Sequence, residues 1–246
     1  TFSKEGMVHH IAEFDPVAAQ NVRWENEQAG VGATPANFRL LTVRNSVEVF
    51  DGMQRVTLHY PDIDSLQGHG IHFRLILPCN PSRPPVWPVM GPNGAPVWPE
   101  GEEKLHARYI TLKNIRADLQ EVDIDIVHHD AGPVSQWACG AAAGDVVGAM
   151  GPTGMHRLPD ARSYFIAADG TGLPAVAQFM SRLPADAVGD VVVALPKTVD
   201  PLDYFPKSKL KLHVLPPHEF EARVLDIAKD LTVPGKTDYG FFAGEF

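Results

Sequence analysis

The chain has 246 residues, 44% of them hydrophobic and 21% charged, and a formal net charge of -9. That length carries one large domain or two modest ones, each with its own core, and two are expected. The charge works against nucleic acid and anionic membrane surfaces as partners, and no run approaches the roughly 20 apolar residues of a membrane helix.

The only cysteines, Cys79 and Cys139, form no CxxC or other ligand spacing. A reducing, cytoplasmic setting without a resident metal is therefore expected. The 21 glycines and 22 prolines imply many turns and favour β structure over a helical bundle. Residues 1–35 mix charges, glycine and the pair His9 and His10, with one short helical pattern at 16–27; they read as an N-terminal extension. The chain starts at Thr1 rather than Met and stops at Phe246 in an apolar stretch, so it is expected to be part of a longer gene product.

From residue 38 the texture becomes short β-rich runs, at 38–43, 47–50, 55–60, 71–77, 109–115 and 121–128. In the last, Val122, Ile124 and Ile126 alternate with Asp123 and Asp125. Six strands at this spacing predict a barrel or sandwich over residues 36–157, interrupted by a long loop at 78–101 dense in Pro, Gly and Trp. After Gly151 and Pro152 the period changes. Strands at 163–168, 190–195, 211–215 and 239–243, with helices at 175–183 and 219–231, predict a parallel α/β domain over residues 158–246.

Four segments carry chemistry. In Arg108-Tyr109-Ile110-Thr111 a strand points Tyr109 and Thr111 to one side. A ring then packs on a flavin and a hydroxyl bonds its edge, with Arg108 free to pair with a diphosphate; an ordinary half-buried strand is the other reading. Next, the strand holding Asp125 and Val127 runs through His128 and His129 into Gly132-Pro133-Val134-Ser135 and Trp137. A glycine turn opening a short helix offers N–H groups to a pyrophosphate, or is a plain connection capped by Ser135. The turn Asp169-Gly170-Thr171-Gly172 lacks the GxGxxG pattern but follows a strand, where open α/β sheets bind ligands. Lastly, Phe241-Phe242-Ala243-Gly244-Glu245 ends a late strand with small residues and an acid.

In this order the segments resemble the siderophore-interacting proteins, a family of ferric-siderophore reductases in the ferredoxin–NADP reductase-like superfamily. The resemblance runs from about residue 38 to 245. It is most specific in VWPVMGPNGAPVWPEG (86–101), HARYIT (106–111), VDIDIVHHDAGPVSQWA (122–138), GAMGPTG (148–154), AADGTGLPA (167–175) and AGE (243–245). The chain departs from the family in placing Ile110 between Tyr109 and Thr111, and in carrying Gly172 where Ala is usual; members also continue past the AGE turn into a helical tail.

The resemblance implies an antiparallel FAD-binding β-barrel followed by a smaller parallel-sheet α/β domain that takes NAD(P)H or another electron donor such as ferredoxin. The cofactor set it implies is Arg108, Tyr109, Ile110, Thr111, Asp125, Val127, His129, Gly132, Pro133, Val134, Ser135, Trp137, Thr171, Ala243, Gly244 and Glu245. Tyr109 lies against the isoalloxazine and Thr111 near its N5, and these two are the expected catalytic residues. The activity implied is reduction of siderophore-bound Fe(III) to Fe(II), by a monomer in the cytoplasm. Hard anionic oxygen donors hold Fe(III) far better than Fe(II), so one electron releases the metal. A flavin is what divides a hydride's electron pair into single electrons. An anionic ferric siderophore calls for a basic patch, for which Arg44, Arg55, Lys113 and Arg116 are the candidates, unless these are solvated strand-edge charges. The same fold also suits a general NAD(P)H-dependent flavin reductase, an electron-transfer flavoprotein, or a non-catalytic flavin or siderophore carrier.

Overall fold

The computed structural model describes residues 32–66, 70–129, 132–154, 157–231 and 239–244. Most of the expected N-terminal extension, with His9, His10 and the helical pattern at 16–27, lies outside the described residues. Its last part belongs to the fold: Gly32 N–H donates to Met90 O and Met90 N–H to Ala33 O, each at 2.7 Å. The chain divides into two units, residues 1–110 with 115–154, and residues 111–114 with 155–246. No helix among the described residues is long and apolar enough to cross a membrane.

The first unit is built on β1 (Phe38–Phe50), β2 (Met53–His59), β3 (His72–Pro78), the short β4 (Val89–Met90) and β5 (Pro96–Val97), β6 (Leu105–Thr111), β7 (Asn114–Arg116), β8 (Glu121–Val127), helix α1 (Pro133–Gly140) and β9 (Val146–Thr153). Seven strands form one sheet in the order β6-β3-β9-β1-β2-β8-β7. Its two edge strands, β6 and β7, are separated in the chain by Leu112 and Lys113 alone. The sheet must therefore curl until its edges meet, which makes it a barrel. The β1–β2, β1–β9, β2–β8 and β3–β9 pairings are antiparallel.

The two runs expected at 38–43 and 47–50 are one continuous strand. Register shifts after Val43 and Glu48 bend it, and these bulges are where the alternation breaks in the sequence. Strand β9 was not expected, because Gly148 and Ala149 lower its strand propensity, yet it lies between β3 and β1 in the sheet. It runs through Gly151 and Pro152 to Thr153, the last strand residue before the change of period.

Alternation sends Leu41, Val43, Val56, Leu58, Phe73, Leu75, Val122, Ile124, Val147 and Ala149 inward, all essentially inaccessible. The outer face is apolar as well: Phe38, Ile76, Leu105 and Met150 are covered by Leu40, Ala107, Trp87 and Trp98. The two tryptophans come from the segment read as a plain loop, which in fact contains the β4–β5 ribbon.

The second unit has β10 (Ser163–Ala168), α2 (Leu173–Arg182), β11 (Val188–Ala194), the one-turn α3 (Pro201–Tyr204), β12 (Lys211–Leu215), α4 (Pro217–Leu231) and β13 (Tyr239–Ala243). Its sheet is parallel throughout, in the order β12-β11-β10-β13. Buried Phe165, Ala167, Val192 and Leu215 meet Val224 and Ala228 of α4 on one face. On the other, Phe179 of α2 packs edge-on against Phe241, with ring centroids 4.9 Å apart. The chain runs outward from β10 to β12 and then returns to the far side of β10. The strand order thus reverses between β10 and β13, and ligands of open α/β sheets bind at the carboxyl ends of such a pair.

Candidate functional site

In β6, Tyr109 shares a side of the strand with Leu105, Ala107 and Thr111, so its ring lies on the outer face of the barrel sheet. It is 61% exposed, unusual for so large a side chain, while Ile110 and Thr111 are half-buried and Arg108 is exposed. The guanidinium of Arg74, on the neighbouring β3, sits 5.0 Å from the centroid of the Tyr109 ring and 5.8 Å from that of Trp98. Arg74 was missed from sequence. A single cation inside the apolar run His72-Phe73-Arg74-Leu75-Ile76-Leu77 was the available signal, because an outward arginine in a buried strand needs a reason. On the other side of β6, His106 Nε2 is buried with no hydrogen-bond partner among the described residues. Burial, then the nearby charges of Arg108 and Lys104, lowers the pKa of this imidazole below its ordinary value.

Strand β8 stops at Val127, so His128 and His129 lie beyond it rather than within it. Helix α1 starts with Gly132 at the N-cap and Pro133 in the first turn, and the N-cap residue itself has no side chain with which to cap the helix. The N–H groups of Val134 and Ser135 have no intrahelical acceptor, because they fall in the first turn. Free amides at a helix start are the kind of group that suits an anion. Ser135 instead closes the loop behind it: His129 N–H donates to Ser135 Oγ at 3.0 Å. The His129 ring lies directly on Gly132, where an added Cβ would come within 1.9 Å of Cε1. A larger residue there would have to displace that imidazole.

Of three other expected contacts, two are taken up inside the protein. The Asp125 carboxylate has no accessible surface and is held by Arg55 through two hydrogen bonds, Nε to Oδ1 at 2.7 Å and Nη2 to Oδ2 at 2.8 Å. The Trp137 side chain is fully buried, with Nε1 lacking a hydrogen-bond partner among the described residues. Val127 is half-buried at the end of β8.

Three of the four residues expected to form a basic patch have partners within the protein. Arg55 is neutralised by Asp125. Arg116 is bound to Asp123 and Glu121, and its hydrogen bonds to Asp123 hold it firmly protonated. Lys113 is buried, donates from Nζ to Tyr204 O at 3.0 Å and lies 4.5 Å above the Tyr204 ring. Arg44 remains exposed. Strand pairing explains the outcome: Arg55 faces Asp125 and Thr57 faces Asp123 across β2 and β8, so this side of the ladder satisfies itself.

At the carboxyl edge of the second sheet, Asp169 caps the turn Gly170–Gly172, and the exposed Thr171 donates its hydroxyl to Asp169 Oδ1. The Asp169 N–H donates to Ala243 O at 3.2 Å, which brings the end of β13 beside the turn. Glu245 lies outside the described residues.

An antiparallel barrel followed by a parallel sheet with its reversal beside the first strand is the ferredoxin reductase-like architecture. Within that class the chain belongs to the siderophore-interacting protein family. Residues 42–156 match the model of the siderophore-interacting FAD-binding domain, and residues 161–246 match that of the siderophore-interacting protein. It is 33% identical over 162 residues to the NADPH-dependent ferric-chelate reductase of Escherichia coli K12, a match covering 64% of this chain and 62% of that protein. It is 28% identical over 215 residues to the ferric vibriobactin reductase ViuB of Vibrio cholerae, covering 84% of this chain and 78% of the relative. The crystal structure of SipS from Aeromonas hydrophila superposes with a TM-score of 0.65 at 27% identity, covering 86% of this chain and 81% of that one.

Proposed function

We propose that this chain is an FAD-dependent reductase of ferric siderophores, with residues 36–157 holding the flavin and residues 158–246 forming the donor side. The observation that carries this reading is the exposed Tyr109 ring under Arg74, on a barrel whose sequence matches a siderophore-interacting FAD-binding domain. The ferric reductase names of two relatives support it.

The residues present fit FAD. Tyr109 offers a flat, accessible face for the isoalloxazine, and Thr111 a hydroxyl two residues on. The start of α1, with Gly132, Pro133, Val134 and Ser135, offers amide donors for the diphosphate, and His129 shapes the loop above them. Arg108 supplies an exposed cation for the same group. When bound, FAD supplies the conversion of a two-electron donation into one-electron steps. Arg74 and Arg44 replace the paired arginines as the cations for an anionic ferric siderophore. The donor is NAD(P)H or ferredoxin, and the enzyme works as a monomer in the cytoplasm.

Titration of the purified chain with FAD, followed by quenching of flavin fluorescence, tests the reading. One FAD per chain, with affinity reduced by Tyr109→Ala, supports it. A well-folded chain that quenches no FAD removes it.

A further inference from the structure

Gln54 of β2 stands in the inward row with Val56 and Leu58, an amide among apolar side chains. It is 8% exposed, so its polar atoms need partners inside the protein. It has one at each end. Gln54 Nε2–H donates to Ser46 Oγ of β1 at 2.8 Å, and Ser46 Oγ–H donates to Ala138 O in the last turn of α1, also at 2.8 Å. On the other side, Gln54 Oε1 lies 3.3 Å from His128 Nε2. The direction of this chain is forced. A carbonyl only accepts, so the Ser46 hydroxyl gives its proton to Ala138 O, Gln54 donates to Ser46, and the imidazole carries its proton on Nε2.

The main chain completes the connection. His128 N–H donates to Gly52 O at 2.8 Å, in the turn between β1 and β2, and His129 N–H donates to Ser135 Oγ at 3.0 Å. The two adjacent histidines thus reach both ends of α1: His129 reaches the first turn directly, and His128 the last turn through Gln54 and Ser46. Helix α1 has no charged side chain with which to make an ion pair of its own. We propose that Gln54 is a positioning residue for flavin binding: by joining His128 to Ser46 it holds α1, with Val134 and Ser135, in place relative to His129 before the cofactor arrives. This deepens, and rests on, the reading of the first unit as the flavin domain. Hydrogen bonds in series inside a protein reinforce one another, so loss of the middle member loosens both ends.

The test pairs FAD titration, read by quenching of flavin fluorescence, with amide hydrogen exchange at Gln136, whose N–H donates to Gly132 O at 3.0 Å in the first turn of α1. Gln54→Met removes both contacts with little change in volume, and the released imidazole, 30% exposed, turns to water. The variant should bind FAD roughly two- to tenfold more weakly and exchange the Gln136 amide faster. His128→Leu should lose a similar factor, whereas His128→Gln, whose amide nitrogen reaches the place of Nε2, should restore most of it. A role in packing alone gives no such rescue. If Gln54→Met does not fold, Ser46→Ala tests the same chain at its next link. A folded Gln54→Met chain with wild-type affinity, or a His128→Gln chain no better than His128→Leu, overturns the proposal. A wild-type chain that takes up no FAD fails the flavin reading and the proposal with it; wild-type uptake with indifferent variants fails the proposal alone.

Discussion

At the scale of single residues, the Arg55–Asp125 pair shows how a side chain that reads as ligand-binding becomes structural. The Asp125 carboxylate is inaccessible and its partner is 23% exposed. Removing the partner leaves a buried charge alone, which costs about 3–5 kcal/mol. Arg55→Met is expected near the lower end of that range in urea unfolding, and adding Asp125→Asn should recover part of the loss; an Arg55→Met chain as stable as wild type contradicts the pairing. Arg74 plays the opposite part, as a cation held over two aromatic rings. A partly exposed cation paired with an anionic substrate is worth about 0.2–1 kcal/mol, so Arg74→Gln should raise the KM for an anionic ferric siderophore by roughly 1.4–5-fold without unfolding the chain. Asp145 gives a pH signature. It is buried, and that burial outweighs the hydrogen bond from Ala142 N–H and raises its carboxyl pKa above the ordinary value. A raised carboxyl contributes stability below its unfolded value, about 3.9, and loses that contribution as pH rises through the folded value. Asp145→Asn should therefore unfold at a higher temperature than wild type at pH 7, with the gap closing toward pH 4. Tyr109, Gly132 and Ser135 could be picked out from the sequence because each sits in a contiguous motif. Arg74 is marked only by its lone charge in an apolar run, and its role is not legible there, since its partners Trp98 and Tyr109 lie 24 and 35 positions away and meet it only after the strands pair.

At the scale of elements, sequence reading succeeds where the hydrophobic period is clean and fails where packing overrides it. Strands β10, β12 and β13 are found at the residues expected because their apolar runs are short and sharply bounded. Strand β9 escapes because glycine and alanine disguise it, and β1 divides in two on paper because its bulges interrupt the alternation. Helix α2 begins two residues before the expected start, since Leu173 and Pro174 already occupy its first turn. His129, just before α1, is tied to that helix by the hydrogen bond from its N–H to Ser135 Oγ. Ser135→Ala leaves that half-buried donor without its acceptor and should cost about 1 kcal/mol, while speeding hydrogen exchange at the His129 amide. An unchanged exchange rate there means the hydroxyl does not hold His129.

At the scale of the whole molecule, the order of the two architectures was readable from the switch in hydrophobic period, from strands alone to strands alternating with helices. The distribution of charge was not, because pairing across β2 and β8 consumes arginines that a one-dimensional reading leaves free. The proposed function is one chemical act, transfer of single electrons from a flavin on the barrel to iron held by a siderophore. The direct measurement is anaerobic: FAD bound to the purified chain is photoreduced, mixed with a ferric siderophore, and followed by flavin absorbance together with an Fe(II)-specific chelator. The account predicts recovery of the oxidised flavin spectrum with two Fe(II) formed per FAD, faster than reoxidation by added free flavin. A flavin that stays reduced in the presence of the ferric siderophore, or reoxidises with no Fe(II) formed, contradicts it.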